Sequence, residues 1–178
     1  MSKRKLSIQL LFNIVFLLII TLLNSWFSFA FWPFWLGGLI GMSIPFLDSL
    51  FYIYLLRPLE LSSQRAKYLI SKKQFRQVVG FIQETRADRG NMIIHSFLFE
   101  VVLIGLTILI ITSSGSLIGL GLCMGIFLHL LVDQLSDYLA NKNLNGWYLN
   151  LNQVLSLEAA NKYLIVGIVI FVIFCLMI

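Results

Sequence analysis

Residues 126–138, Ile126-Phe127-Leu128-His129-Leu130-Leu131-Val132-Asp133-Gln134-Leu135-Ser136-Asp137-Tyr138, place a histidine and two aspartates inside a run otherwise apolar enough to cross a membrane. At about 3.6 residues per turn, His129, Asp133 and Asp137 are spaced four apart and stack along one helix face. A central Asp costs roughly 2.5 to 3.5 kcal/mol on insertion scales, so such groups turn toward a protein interior and take partners there. The stripe therefore predicts several further helices packed around this one.

The rest of the chain agrees. Of its 178 residues 59% are hydrophobic, 14% aromatic and 12% charged, and the mean hydropathy is +0.90. A soluble domain is about a quarter charged, so this composition predicts an all-α, polytopic membrane protein forming a single membrane domain. The net charge of +5 does not point to nucleic acid, because the basic residues gather beside apolar runs instead of forming a binding surface. Cys123 and Cys175 lie in apolar runs without metal-type spacing and read as packing or lipid-facing residues.

Five spans are expected, at about 6–28, 35–56, 92–112, 117–139 and 160–178. The first follows Lys3-Arg4-Lys5 and is too long for a signal-peptide core; the second carries Gly37, Gly38, Gly41, Pro45 and Asp48. Pro45 is expected to kink it one turn before the aspartate. Residues 57–91 form the long polar segment, where Tyr68, Leu69, Phe75, Val78, Val79 and Ile82 fall near helical spacing among basic residues. This predicts an amphipathic basic helix, or a short pair of helices, either on an anionic lipid face or as a solvated cap. Ser113-Ser114-Gly115-Ser116 predicts a tight turn between spans three and four. Residues 140–159 form a polar connection with an Asn145-Gly146 turn signal, and Ser156 or Asn161 caps the last helix.

With five spans, all 13 Lys and Arg residues fall on one side. The positive-inside rule makes that side cytoplasmic, with the amino terminus inside and the carboxyl terminus outside, as in a prokaryotic cytoplasmic membrane. Asp48 and Asp133 each precede a basic loop residue by nine positions, about 13 Å of helix, and His95 lies roughly 9 Å in from Arg89. Three helices thus contribute polar groups to one level of the bundle.

Imidazole nitrogens and carboxylate oxygens suit a divalent ion, zinc first among them. Asp48, His95, His129 and Asp133 are the expected ligands, with Asp48 or Asp133 as general base. Ser96, Glu100 and Asp137 are expected in support. Glu100 lies five residues beyond His95 on the third span, about 140° around the helix, so the two cannot both point squarely at one centre, and Glu100 reads as a supporting group or a separate interhelical contact. The alternative is that the same groups only hydrogen-bond to each other and fix the packing.

Pro45-Phe46-Leu47-Asp48, Ile94-His95-Ser96 and His129-Leu130-Leu131-Val132-Asp133 together resemble a family of small bacterial and archaeal inner-membrane proteins, the predicted membrane-bound metal-dependent hydrolases. That family shows a Pro-Asp-x-Asp element, a Thr-His-Ser element with an upstream histidine, and a His-x-x-x-Asp element, in this order. Phe46 replaces the leading aspartate here, and the threonine and upstream histidine are missing. The resemblance spans roughly residues 37–139 and implies hydrolysis of a lipid-like ester or phosphoester at a metal site. A noncatalytic scaffold or partner-binding subunit with a degenerate polar core is the competing expectation. A small transporter is a third, against which the absence of an inverted repeat counts.

Overall fold

The computed structural model describes residues 2–85, 93–142, 144, 147 and 156–178, and these are helical with short connections. Seven α-helices are found among them: α1 (Ser2–Leu23), α2 (Trp32–Phe51), α3 (Leu61–Ser71), α4 (Phe75–Glu84), α5 (Phe97–Leu109), α6 (Leu117–Asn141) and α7 (Leu157–Met177). Four helical stretches are long and apolar enough to cross a membrane: Phe29–Leu56, Phe97–Ser114, Leu117–Ala140 and Leu157–Met177. Ile8–Leu23 of α1 is a shorter apolar helix. The chain is an all-α polytopic membrane protein, and the Asn145-Gly146 signal lies outside the described residues.

The central pair is α2 and α6, which touch along a stripe of glycines. A Cβ on Gly37 or Gly41 would collide with the backbone oxygen of Ile118 or Leu122. One on Gly121 or Gly125 would collide with that of Phe34 or Gly38. Small residues at this spacing let two backbones approach where the surrounding solvent supplies little hydrophobic drive. α2 continues through Pro45 without a break, although a proline there removes one main-chain donor.

α1 packs on this pair through Gln9, Asn13, Phe16, Leu17 and Ile20, all buried and at helical spacing. The opposite face leaves Leu11, Phe12, Leu18 and Leu22 exposed, as a lipid-facing helix requires. α1 ends at Leu23, short of the expected boundary, because Ser25 turns the chain at a positive φ of 54°. Trp26 then stacks on Phe31, and Trp35 Nε1 donates to Thr21 Oγ1 at 3.0 Å.

The basic segment is a pair of helices. Ile53, Ala66, Val78 and Ile82 form a small core between α3, α4 and the end of the second span, with Leu69 packed against it. Tyr68 and Phe75, placed by spacing on the apolar face, are exposed. The α5–α6 connection is the expected turn, with Gly115 at φ 57° and Ser116 Oγ accepting from Gly119 N. Ser156, not Asn161, caps α7.

The glycine stripe makes a direct prediction. Gly121→Val should lower thermal stability in detergent by the equivalent of about 1–3 kcal/mol through overpacking. Gly105→Ala, whose added methyl has nothing within 4 Å, should leave the unfolding temperature unchanged or slightly higher. Equal effects from both would mean that the helices do not cross through this stripe.

Candidate metal centre

The third span supplies the largest local difference from expectation. α5 starts at Phe97, not near residue 92, and residues 93–96 are non-helical. Ser96 is the N-cap: its hydroxyl donates to the carbonyl of Ile93 at 2.6 Å and accepts from Phe99 N. The free amides ahead of the helix turn to Asp48. Its carboxylate accepts from the backbone N–H of Ile93 (3.1 Å), Ile94 (2.9 Å) and His95 (3.2 Å). The Nδ1 of His95 adds a fourth contact at 3.0 Å. Asp48 is 1% exposed, and these donors are what make a carboxylate tolerable there.

Asp48 also orients His95. Its carboxylate faces Nδ1, which leaves Nε2 as the nitrogen turned toward α6. That Nε2 faces Asp133 Oδ2 at 3.4 Å, and His129 Nε2 approaches the same oxygen at 3.4 Å from one turn earlier on α6. One ligand atom from each of His95, His129 and Asp133 lies within 4.8 Å of the others, and all three residues are buried.

These lengths carry chemical content. A charge-assisted N–H···O bond is about 2.7–2.9 Å, so 3.4 Å is long for an imidazolium clasped by a carboxylate. A tetrahedral ion with bonds of about 2.0–2.1 Å spaces its ligand atoms roughly 3.3–3.4 Å apart. Two edges of the triangle already have that length. The buried His/His/Asp group can hold a metal ion, and two imidazoles with one carboxylate are a donor set suited to zinc and its neighbours.

The expected residues thus divide. His95, His129 and Asp133 converge. Asp48 stands behind His95, on the opposite ring nitrogen, in the position of an orienting carboxylate. Its oxygens are taken up by the 93–95 segment, which leaves the general-base role expected for it without a vacant acceptor. Ser96 does not face the triangle and instead ends the segment that carries His95. Asp137 is half-buried and accepts from Trp147 Nε1 at 3.2 Å, and the Trp147 ring packs edge-on to His95, with centroids 5.5 Å apart.

Glu100 belongs to a second cluster. With His95 off the helix, the 140° separation does not apply. Glu100 Oε2 accepts from Gln134 Nε2 at 2.9 Å and from the hydroxyl of Tyr163, joining α5, α6 and α7. Gln9 and Asn13 of α1 were not singled out by sequence. Gln9 Nε2 donates to Asp133 Oδ1 at 2.5 Å, and Asn13 Nδ2 donates to the carbonyl of Gly38 at 3.4 Å. Two amides four residues apart in an apolar helix were the available signal.

The two clusters should be separable. Tyr163→Phe leaves a buried carboxylate short of one donor and should lower stability by about 1–3 kcal/mol, without altering zinc affinity. Asp48→Asn should weaken binding of a divalent ion at the His95, His129 and Asp133 group about 10- to 100-fold, as lost outer-shell carboxylates do. Unfolding curves and chelator competition check the pair.

Searches of protein-family models, curated proteins and solved structures find no match to this chain.

Proposed function

We propose that this chain is a metal-dependent hydrolase of the membrane, acting on an ester or phosphoester of lipid-like character. The observation that carries the reading is the convergence of His95 Nε2, His129 Nε2 and Asp133 Oδ2, each imidazole nitrogen 3.4 Å from the carboxylate oxygen, with His95 held on its other nitrogen by Asp48. A zinc-class ion bound there would acidify a water and polarise the scissile carbonyl or phosphoryl oxygen. The protein's part is to fix the donors. Asp48 orients the His95 ring, α6 sets His129 and Asp133 one turn apart, and burial keeps bulk water away. The proton of the attacking water would pass to the departing oxygen as the ester C–O or P–O bond breaks, while Asp133, held by Gln9 on one oxygen, would serve as a ligand through the other.

Arg57, Arg65, Lys72, Lys73 and Arg76 lie on or beside α3 and α4. In this reading they face an anionic leaflet and gather a negatively charged headgroup near the centre. The amino terminus lies on the same, cytoplasmic side of a prokaryotic membrane, by the positive-inside rule.

A noncatalytic reading has one observation in its favour, the position of His95 between two carboxylates. An imidazolium there would bridge Asp48 and Asp133 and fasten α2 to α6 with no metal.

Elemental analysis of protein purified in detergent separates the two. The hydrolase reading expects about one zinc, manganese or iron per chain, lost in His129→Ala, and phospholipid hydrolysis that stops on chelation and returns with metal. Metal-free protein whose stability is indifferent to added metal contradicts it. Bound metal with no turnover supports a binding role.

A further inference from the structure

α1 reaches the site through an uncharged side chain. Gln9 is 7% exposed and its side-chain nitrogen lies 2.5 Å from Asp133 Oδ1. The amide can face a carboxylate only with its NH₂ group, since the reverse orientation would set oxygen against oxygen. Covalent geometry then fixes Gln9 Oε1 beside the same carboxylate, where it is buried and has no hydrogen-bond partner. An orphaned buried acceptor is unfavourable. Asn13 Oδ1 and Gln134 Oε1 are buried without a partner as well, so it is the contact of Nε2 with Asp133 Oδ1 that orients Gln9.

Asp133 has two oxygens, and they are treated differently. Oδ1 is engaged by Gln9, while Oδ2 faces both imidazoles. A carboxylate bound through both oxygens would need Oδ1 turned to the ion as well. We infer that Gln9 is a positioning residue that makes Asp133 a one-oxygen ligand, completing a four-coordinate site with an open position. This rests on the metal reading above and extends it to the coordination mode. Its structural consequence is that α1 is a working wall of the centre and not only a lipid-facing strut. Asn13, one turn further on the same face, is an internal control: it bonds the carbonyl of Gly38 on α2 and not the carboxylate.

The test uses the full chain in detergent, with zinc and Co²⁺ as probes. Gln9→Met keeps length and removes the amide; Gln9→Leu serves if the first variant does not fold. Either should weaken zinc binding about 10- to 100-fold in chelator competition, the usual effect of losing an outer-shell partner. Either should also weaken the visible Co²⁺ absorption, as coordination rises above four. Asn13→Leu should change neither reading, whatever it does to the unfolding temperature. Zinc affinity within twofold of wild type in the Gln9 variants, or an equal loss in Asn13→Leu, would overturn the inference and leave the metal reading standing. Wild-type protein that binds no metal would overturn both.

Discussion

Four glycines let the backbones of α2 and α6 touch, and the placement of the polar groups follows from that contact. Gly37 and Gly41 on one helix and Gly121 and Gly125 on the other remove the side chains that would hold the helices apart. The crossing brings Asp48 on α2 to the level of His129 and Asp133 on α6, with the 93–96 segment strung between them. The same approach exposes the carbonyl of Gly38 to Asn13, which ties α1 to the pair.

Electrostatics then decides what can occupy that level. Each buried ionisable group is costly in an apolar bundle, and the chain supplies donors unequally. Asp48 is answered in full by main-chain N–H groups and an imidazole proton. Asp133 has Gln9 on one oxygen and the two imidazole nitrogens, at 3.4 Å, on the other. His95 Nε2, His129 Nε2 and Asp133 Oδ2 are the three donor atoms that converge there. A cation is the chemical complement of such a group. Glu100, by contrast, is answered by the Gln134 amide nitrogen and the Tyr163 hydroxyl, which fasten α5, α6 and α7.

Much of this could be read from sequence, for identifiable reasons. His129 and Asp133 stood out because charge at four-residue spacing in an apolar helix has one geometric meaning. Asp48 and His95 joined them because distance along a helix from a basic loop is a measure of depth. The role of Asp48 was not legible, since it depends on residues 93–96 leaving the helix, and an apolar run carries no signal for that. Ser96 was the clue, as a serine preceding an apolar run can cap a helix. Gln9 carries no such signal, because an uncharged amide in a first span is inexpensive enough to need no explanation. Only the location of its partner gives it meaning.

Anomalous diffraction at the zinc edge, from crystals of wild-type protein grown with zinc, tests the central claim most directly. The account predicts one peak about 2.0–2.2 Å from His95 Nε2, His129 Nε2 and Asp133 Oδ2. No peak at that position, with His95 Nε2 drawn to about 2.7–2.9 Å from Asp133 Oδ2 as an imidazolium, would contradict it.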